Sequence, residues 1–123
     1  LIRLGLRKTD RRLETTRLEN WALPGVPDVL LCSETGTFTF LELKAMPSLA
    51  GRVPLSPHQC AWLSRHAAAP CYIVVRTGDL TIRVYRGRDA VDLRMDGTEA
   101  VTPAATFVEP YDWDQFFALT SPA

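Results

Sequence analysis

The feature that most constrains the fold is residues 37–43, a short run that is apolar or β-branched on both of its alternating sides. Side chains two apart in a strand share a face, so Phe38 and Phe40 lie on one side and Leu41 and Leu43 on the other. A strand that is apolar on both sides belongs in the middle of a sheet that is covered on both faces. The run therefore predicts a layered domain with a buried central sheet.

A second apolar run, residues 29–32, precedes the first and is separated from it by residues 33–36, which have the composition of a turn. The two runs are expected to form a hairpin. Asp28 then enters the first strand close to the point where Glu42 and Lys44 leave the second. Because residues two apart share a face, the stems of Glu42 and Lys44 lie about 6 to 7 Å apart on one side. Two carboxylates and a lysine are predicted to converge.

Charged groups inside a covered sheet must be paired or must hold a metal ion, because burying an isolated charge is costly. The oxygen ligands of Asp28 and Glu42 suit Mg²⁺ or Mn²⁺, which keep several waters and bridge to phosphate oxygens. Two other interpretations remain open: Glu42 and Lys44 form only a structural ion pair, and Pro27 and Asp28 only open a strand with a turn. The pattern favours hydrolysis of a phosphodiester over both.

Ser56, Pro57 and Gln59 match the start of a helix, with serine as the N-cap, proline at the first helical position and glutamine at the third. The helix is expected to run from Pro57 to about Ala68, with an apolar stripe on the side that also carries Gln59. Gln59 then either assists the carboxylates or only closes the capping box.

Beyond this helix, residues 71–76 and 80–85 are strand-like and are separated by a turn sequence. The predicted order is β-β-α-β-β, which indicates an α/β domain. Residues 88–95 predict a short helix, and residues 111–119 predict an amphipathic closing helix whose aromatic side chains pack in the core or between subunits.

Composition is consistent with one domain, residues 1–123, with 46% hydrophobic residues. The net charge is zero, but residues 1–88 hold thirteen of the fourteen Lys and Arg and seven of the fourteen acidic residues. A basic N-terminal segment, residues 1–20, thus contrasts with an acidic C-terminal segment, residues 89–123. Such asymmetry is what a surface that binds a polyanion requires.

Four arginines are candidate contacts to phosphates. Arg11, Arg12 and Arg17 lie in the basic N-terminal segment, and Arg52 lies in the loop of residues 45–54. The alternative for the N-terminal group is a solvated basic arm, or contacts within an oligomer.

Hydropathy and the spacing of the cysteines indicate the cellular compartment in which the protein is expected. There is no run of about 18 apolar residues and no signal-peptide pattern, so we expect a cytoplasmic protein without a membrane partner. Cys32, Cys60 and Cys71 lack the spacing of a metal or redox motif, which is typical of small buried side chains in a reducing compartment.

Three motifs occur in a fixed order: Gly-x-Pro-Asp at residues 25–28, Glu-x-Lys at residues 42–44, and a glutamine-bearing segment at residues 55–62. Together they resemble the PD-(D/E)xK nuclease superfamily, and within it the small phage VRR-NUC-like and archaeal Holliday-junction-resolvase-like nucleases. The resemblance covers residues 17–76, about half of the chain. It implies a restriction-endonuclease-like core with a central mixed β-sheet flanked by helices.

The same resemblance implies roles for five residues. Asp28 and Glu42 bind Mg²⁺ or Mn²⁺, Lys44 orients or activates the attacking water, and Gln59 assists. Many members of the superfamily contribute an upstream glutamate, for which Glu19 is the best-placed match. The implied activity is a metal-dependent DNA endonuclease, with a homodimer and a phage origin as further expectations.

Two other functions remain open at this stage. One is a catalytically silent DNA-binding or assembly module with a nuclease-like fold. The other is a restriction-type nuclease that recognises a defined sequence, although the short chain leaves little room for a recognition domain. Nothing in the sequence selects among junction, flap, duplex and single-stranded DNA, because it contains no recognisable base-reading element.

Overall fold

The computed structural model describes residues 1–9, 11–18 and 24–122. The helices and strands follow one another along the chain in this order: α1 (Ile2–Lys8), β1 (Leu13–Arg17), β2 (Val29–Ser33), β3 (Phe38–Met46), α2 (Pro57–Arg65), β4 (Cys71–Thr77), β5 (Thr81–Arg86), α3 (Ala90–Met95), β6 (Ala105–Val108) and α4 (Trp113–Thr120). Short 3₁₀ turns at Gly87–Asp89 and Thr98–Ala100 flank α3.

The strands of the described residues form one six-stranded mixed sheet in the order β1-β2-β3-β4-β5-β6. β3 and β4 are parallel, and every other neighbouring pair is antiparallel. Parallel neighbours need a crossover connection, which α2 supplies. The two predicted hairpins, β2-β3 and β4-β5, are confirmed. The α/β class with a mixed sheet flanked by helices is therefore correct.

Helices cover the two faces of the sheet. We call the face under α2 and α3 the front face and the face under α1 and α4 the back face. The core of the front face is buried around residues such as Leu63, Ile73, Val75, Tyr85 and Leu93. The core of the back face is buried around residues such as Leu31, Leu41, Ile82, Phe116 and Phe117.

β3 is the third strand of the sheet and lies between these two layers, as its sequence predicted. Thr39 and Leu41 face the back and are fully buried. Phe40, Glu42 and Met46 alternate with them and face the front. The central position of β3 therefore places Glu42 beneath α2.

The predicted order β-β-α-β-β was incomplete, because α1 and β1 precede it and β6 follows it. β1 and β6 are the two edge strands, and an edge strand of mixed polarity gives only a weak alternation signal. The basic N-terminal segment is not simply a solvated arm within the described residues: α1 buries Ile2 and Gly5. A Cβ on Gly5 would lie 2.4 Å from the Trp113 ring, so this glycine allows α1 to pack against α4.

The closing helix is confirmed as α4, and its aromatic side chains belong to the core. Trp113, Phe116 and Phe117 are buried and contact one another at ring-centroid distances of 5.1 to 6.0 Å. The short helix predicted after residue 88 is also confirmed, as α3. No helix in the described parts of the chain is long and apolar enough to cross a lipid bilayer.

Candidate active site

The site is built on the hairpin of β2 and β3. The pairing register places Val29 opposite Leu41, so the next pair in the same register is Asp28 and Glu42. Directly opposed residues of an antiparallel pair have their side chains on the same face of the sheet. Both carboxylates therefore lie on the front face, and Lys44 follows two residues later on that face. The convergence predicted from the sequence is found.

Asp28 is held by backbone contacts on both sides. Its Oδ2 accepts a hydrogen bond of 2.9 Å from the Leu43 N–H, and its carbonyl oxygen accepts one of 2.8 Å from the Leu18 N–H. The turn before it passes close to α2: Gly25 has φ +93°, and a Cβ there would lie 2.2 Å from the His58 carbonyl oxygen. Glycine is therefore required in this turn for its backbone angle and for space.

Glu42 is 1% exposed and has its two oxygens in different surroundings. Oε1 accepts a hydrogen bond of 2.9 Å from Gln59 Nε2, and Lys44 Nζ lies 3.5 Å from the same oxygen. Oε2 is buried and has no hydrogen-bond partner. Since buried polar atoms are almost always paired, the open oxygen needs an explanation, such as a proton or a cation.

Gln59 closes the capping box and also donates a hydrogen bond to a carboxylate of the site. Its backbone N–H donates to Ser56 Oγ at 3.1 Å, and its side-chain Oε1 accepts from the Ser56 N–H at 2.9 Å, which completes the capping box. The opposite end of the same amide donates to Glu42. Because the side-chain oxygen of Gln59 accepts the hydrogen bond from the Ser56 N–H, the side-chain nitrogen of Gln59 points to the Glu42 carboxylate.

The surroundings of Glu42 disfavour its ionised form and raise its pKa to about 8. The largest cause is desolvation by burial, followed by repulsion from the Asp28 carboxylate, while Lys44 acts in the opposite direction. In the absence of a cation, the Glu42 carboxyl group therefore retains its proton near neutral pH.

These residues fit a divalent cation on chemical grounds. Two oxygen-bearing side chains of like charge lie together, one buried oxygen lacks a donor, and a single ammonium offsets the charge only in part. Within residues 1–9, 11–18 and 24–122, no group of three His, Cys, Asp or Glu side chains could hold a metal. Mg²⁺ commonly binds through one or two carboxylates and keeps several waters. Glu19, the third ligand that the sequence suggested, lies outside the described residues.

The candidate phosphate contacts are dispersed. Arg11 Nη2 donates a hydrogen bond of 2.6 Å to the Ser121 carbonyl oxygen, so this guanidinium anchors the end of α4. Arg12 is exposed at the start of β1. Arg17 is exposed at the end of β1 and is paired in register with Val29, next to Asp28. Among the three, Arg17 lies nearest to the carboxylates along the sheet.

Arg52 is exposed, and the loop that carries it is attached to the rest of the fold. The Thr98 N–H donates to the Gly51 carbonyl oxygen at 3.2 Å, and the Val53 N–H donates to the Leu93 carbonyl oxygen at 3.1 Å. Val53 is also buried in the front core. The loop is therefore a fixed connection between β3 and α2.

Some contributors to the site escaped the sequence analysis. The backbone N–H of Leu43 has no sequence signature, and the contact of Gly25 with His58 depends on how α2 is placed. A row of aromatic rings beside the site was also missed, because the apolar residues of β3 and α2, which include Phe40 and Trp62, were interpreted only as parts of a core. The sequence signal that could have revealed this row is the alternation of faces along β3, which places Phe38, Phe40 and Glu42 on the same face.

Comparison with known proteins does not assign the chain. It matches no protein-family model, and no curated protein matches its sequence. We therefore infer the function from the residues of the site itself.

Proposed function

We propose that this protein is a metal-dependent nuclease that hydrolyses DNA phosphodiester bonds as an endonuclease, with Mg²⁺ or Mn²⁺ bound by Asp28 and Glu42. One observation carries the proposal: the buried Oε2 of Glu42 has no partner and lies in a carboxyl pair with Asp28. A purely structural ion pair would not need a second, repelling carboxylate beside it. A cation-binding site does.

The chain's own residues have distinct tasks in this proposal. Asp28 and Glu42 provide the negative charge that holds the cation, which when bound supplies Lewis-acid activation of water and of the phosphate. Lys44, 3.5 Å from Glu42, places a positive charge where negative charge develops on the phosphate oxygens. Gln59 fixes the orientation of the Glu42 carboxylate through its hydrogen bond to Oε1. Glu19 is kept as a candidate third ligand on the basis of the sequence resemblance alone.

The fold assignment within this proposal is a restriction-endonuclease-like core of the PD-(D/E)xK superfamily. Support comes from the mixed sheet flanked by helices and from the order of the three motifs, which lie before β2, at the middle of β3 and at the start of α2. A homodimer that binds DNA follows from the same resemblance. A contribution of Arg12, Arg17 and Arg52 to phosphate binding is supported by the excess of basic residues in the first part of the chain and by the exposure of these three side chains.

The decisive experiment compares cleavage by wild type and Glu42→Gln on labelled single-stranded, duplex, flap and four-way-junction DNA, with Mg²⁺, Mn²⁺ or EDTA. We expect cutting only by wild type and only with a divalent cation. Glu34→Gln is the matched control, because Glu34 is an exposed glutamate in the β2-β3 turn of the same hairpin. Binding without cutting by a folded wild-type protein would instead support the silent DNA-binding module.

The role of Lys44 is tested with Lys44→Met and Lys44→Arg. If the ammonium acts on developing charge, Lys44→Met lowers turnover by about 100-fold or more, whereas the affinity for Mn²⁺ changes little. Lys44→Arg retains the charge and should recover part of the turnover. Full turnover of Lys44→Met would exclude the role.

A further inference from the structure

A row of aromatic side chains leads away from the candidate active site along the front face. In β3, Glu42, Phe40 and Phe38 alternate with back-facing residues and so lie one after another on the front. Phe40 is half-buried, and Phe38 is 54% exposed, which is high for a phenylalanine on a sheet. The row thus begins at a buried carboxylate and ends at an exposed ring.

A second row lies beside it on α2. Gln59, Trp62 and His66 follow one another at intervals of three and four residues, which places them on one side of the helix. The two rows meet at two points: Gln59 Nε2 is 2.9 Å from Glu42 Oε1, and the Trp62 and Phe40 ring centroids are 5.1 Å apart. The helix row therefore runs alongside the strand row.

The helix row ends in a fixed pair of rings. His66 stacks on Trp62 with a centroid distance of 3.9 Å and an interplanar angle of 21°, and His66 Nδ1 lies 2.7 Å from the Trp62 carbonyl oxygen. His66 is exposed, whereas Trp62 is half-buried. We define the aromatic groove as Phe38 and Phe40 on the strand side and Trp62 and His66 on the helix side.

We propose that the aromatic groove binds unpaired nucleobases of the strand whose phosphate lies at the Asp28–Glu42 pair, so that Phe38 is a base-stacking residue and the preferred substrate is DNA with single-stranded nucleotides next to the cleaved bond. The inference rests on the proposed function for the position of that phosphate. Phe40 and Phe38 lie about 7 and 13 Å from Glu42 along β3. Bases attached to nucleotides near the scissile phosphate are within that reach.

The chemistry of the groove favours a base over an aliphatic partner and a single strand over a duplex. Every base has a π-face that stacks on an aromatic ring regardless of sequence, and such stacking is the usual means of holding single-stranded nucleic acid. In a continuous duplex, these faces are already stacked on neighbouring base pairs, and only base edges are accessible in the grooves. An exposed phenylalanine adjoining the active site can therefore stack on a base only where pairing is broken.

The test measures binding in EDTA by fluorescence anisotropy, with a short labelled oligothymidylate and a short duplex as probes. Phe38→Leu removes the ring but keeps an apolar side chain, Phe38→Tyr keeps the ring, and Val108→Leu alters another exposed apolar residue on the far edge strand β6. We expect Phe38→Leu to weaken single-strand binding by about fivefold or more, since one base stack typically changes affinity by about 5- to 150-fold. The other two variants should match wild type, and duplex binding should be the same for all four proteins.

A scan with oligothymidylates that carry one abasic position tests the contact itself. Wild type should lose affinity when the missing base is the one that stacks on Phe38, and Phe38→Leu should be insensitive to the same abasic position. Equal single-strand binding by wild type and Phe38→Leu, or an equal response to the abasic scan, would overturn the inference.

The cleavage assay separates this inference from the proposed function. If Phe38→Leu binds single strands weakly but wild type cuts no DNA with Mn²⁺, the groove is supported and the hydrolytic proposal fails. If wild type cuts DNA and Phe38→Leu binds and cuts every substrate as wild type does, the groove is rejected and the hydrolytic proposal remains.

Discussion

Gln59 Nε2 donates a hydrogen bond of 2.9 Å to Glu42 Oε1, and the same side chain closes the capping box of α2 through Ser56. The start of a helix and the orientation of a buried carboxylate thus depend on a single amide. Of the three residues that these hydrogen bonds join, Ser56 and Gln59 can be identified in the sequence as a capping motif, whereas the third, Glu42, is brought in by the tertiary structure.

Substitution of Gln59 and of Ser56 should have different consequences. Ser56→Ala removes the hydroxyl acceptor but keeps the backbone N–H that orients the Gln59 amide. It should therefore lower the free energy of unfolding by about 1 kcal/mol and leave turnover almost unchanged. Gln59→Ala removes the donor to Glu42 as well, and we expect about 10-fold or more loss of turnover. Urea denaturation and steady-state cleavage measure the two effects. Equal losses of turnover in both variants would contradict an orienting role for Gln59.

The stability of the metal-free protein should fall as pH rises through neutrality. The pKa of Glu42 is about 8 in the folded protein, whereas the ordinary pKa of a glutamate, which we take for the unfolded chain, is 4.5. Between these two pH values the folded protein binds more protons than the unfolded chain. The free energy of unfolding then decreases with pH across that window. Urea denaturation at several pH values measures the slope, and saturating Mg²⁺ should reduce it. Glu42→Gln is the control, and a slope equal to that of wild type would refute the assignment to Glu42.

Asp28→Asn should stabilise the metal-free protein while it removes cation binding. Asparagine keeps an oxygen that accepts from the Leu43 N–H, but it removes the charge that repels the Glu42 carboxylate. Near pH 8, we expect Asp28→Asn to have a higher free energy of unfolding than wild type. We also expect calorimetry to detect no heat of Mn²⁺ binding by this variant, so that it gains stability and loses function. Glu34→Gln should resemble wild type in both measurements. A heat of Mn²⁺ binding that is unchanged in Asp28→Asn would remove Asp28 from the site.

Gly25→Ala should be more damaging than Gly36→Ala. Both glycines have positive φ, +93° and +85°, so either substitution places a side chain in an unfavourable backbone region at a cost of about 1 to 2 kcal/mol. At Gly25 the new Cβ would also meet the His58 carbonyl oxygen at 2.2 Å, whereas Gly36 has no atom within 4 Å.

We therefore expect a larger loss of stability in Gly25→Ala, together with weaker Mn²⁺ binding, because Asp28 follows three residues later. Urea denaturation and calorimetry on the two variants provide the comparison. Similar stability and similar Mn²⁺ affinity in both would show that the turn does not position Asp28.

Local patterns predicted much of the architecture. The hairpin of β2 and β3, the capping box, the β4-β5 hairpin and the closing helix depend on residues close together in the chain, where alternation, turn composition and cap residues act directly. The edge strands β1 and β6 were missed, because each has a neighbour on one side only and mixes polar with apolar residues. The hydrogen bond from Arg11 to the Ser121 carbonyl oxygen joins residues 110 apart in the chain, so no local pattern could predict it.

The sequence by itself determined that Asp28 and Glu42 oppose each other, because a strand, a turn and a second strand set the register within the fifteen residues 28–42. Only the tertiary structure decided the burial and the contacts of that pair, on which its chemistry depends. Packing α2 on the front face removes water from Glu42 and brings Gln59 to the oxygen that Lys44 also contacts, while the other oxygen has no partner. Desolvation and like-charge repulsion depend on what surrounds a carboxylate in space, so they follow from the packed sheet and helix and not from the order of residues.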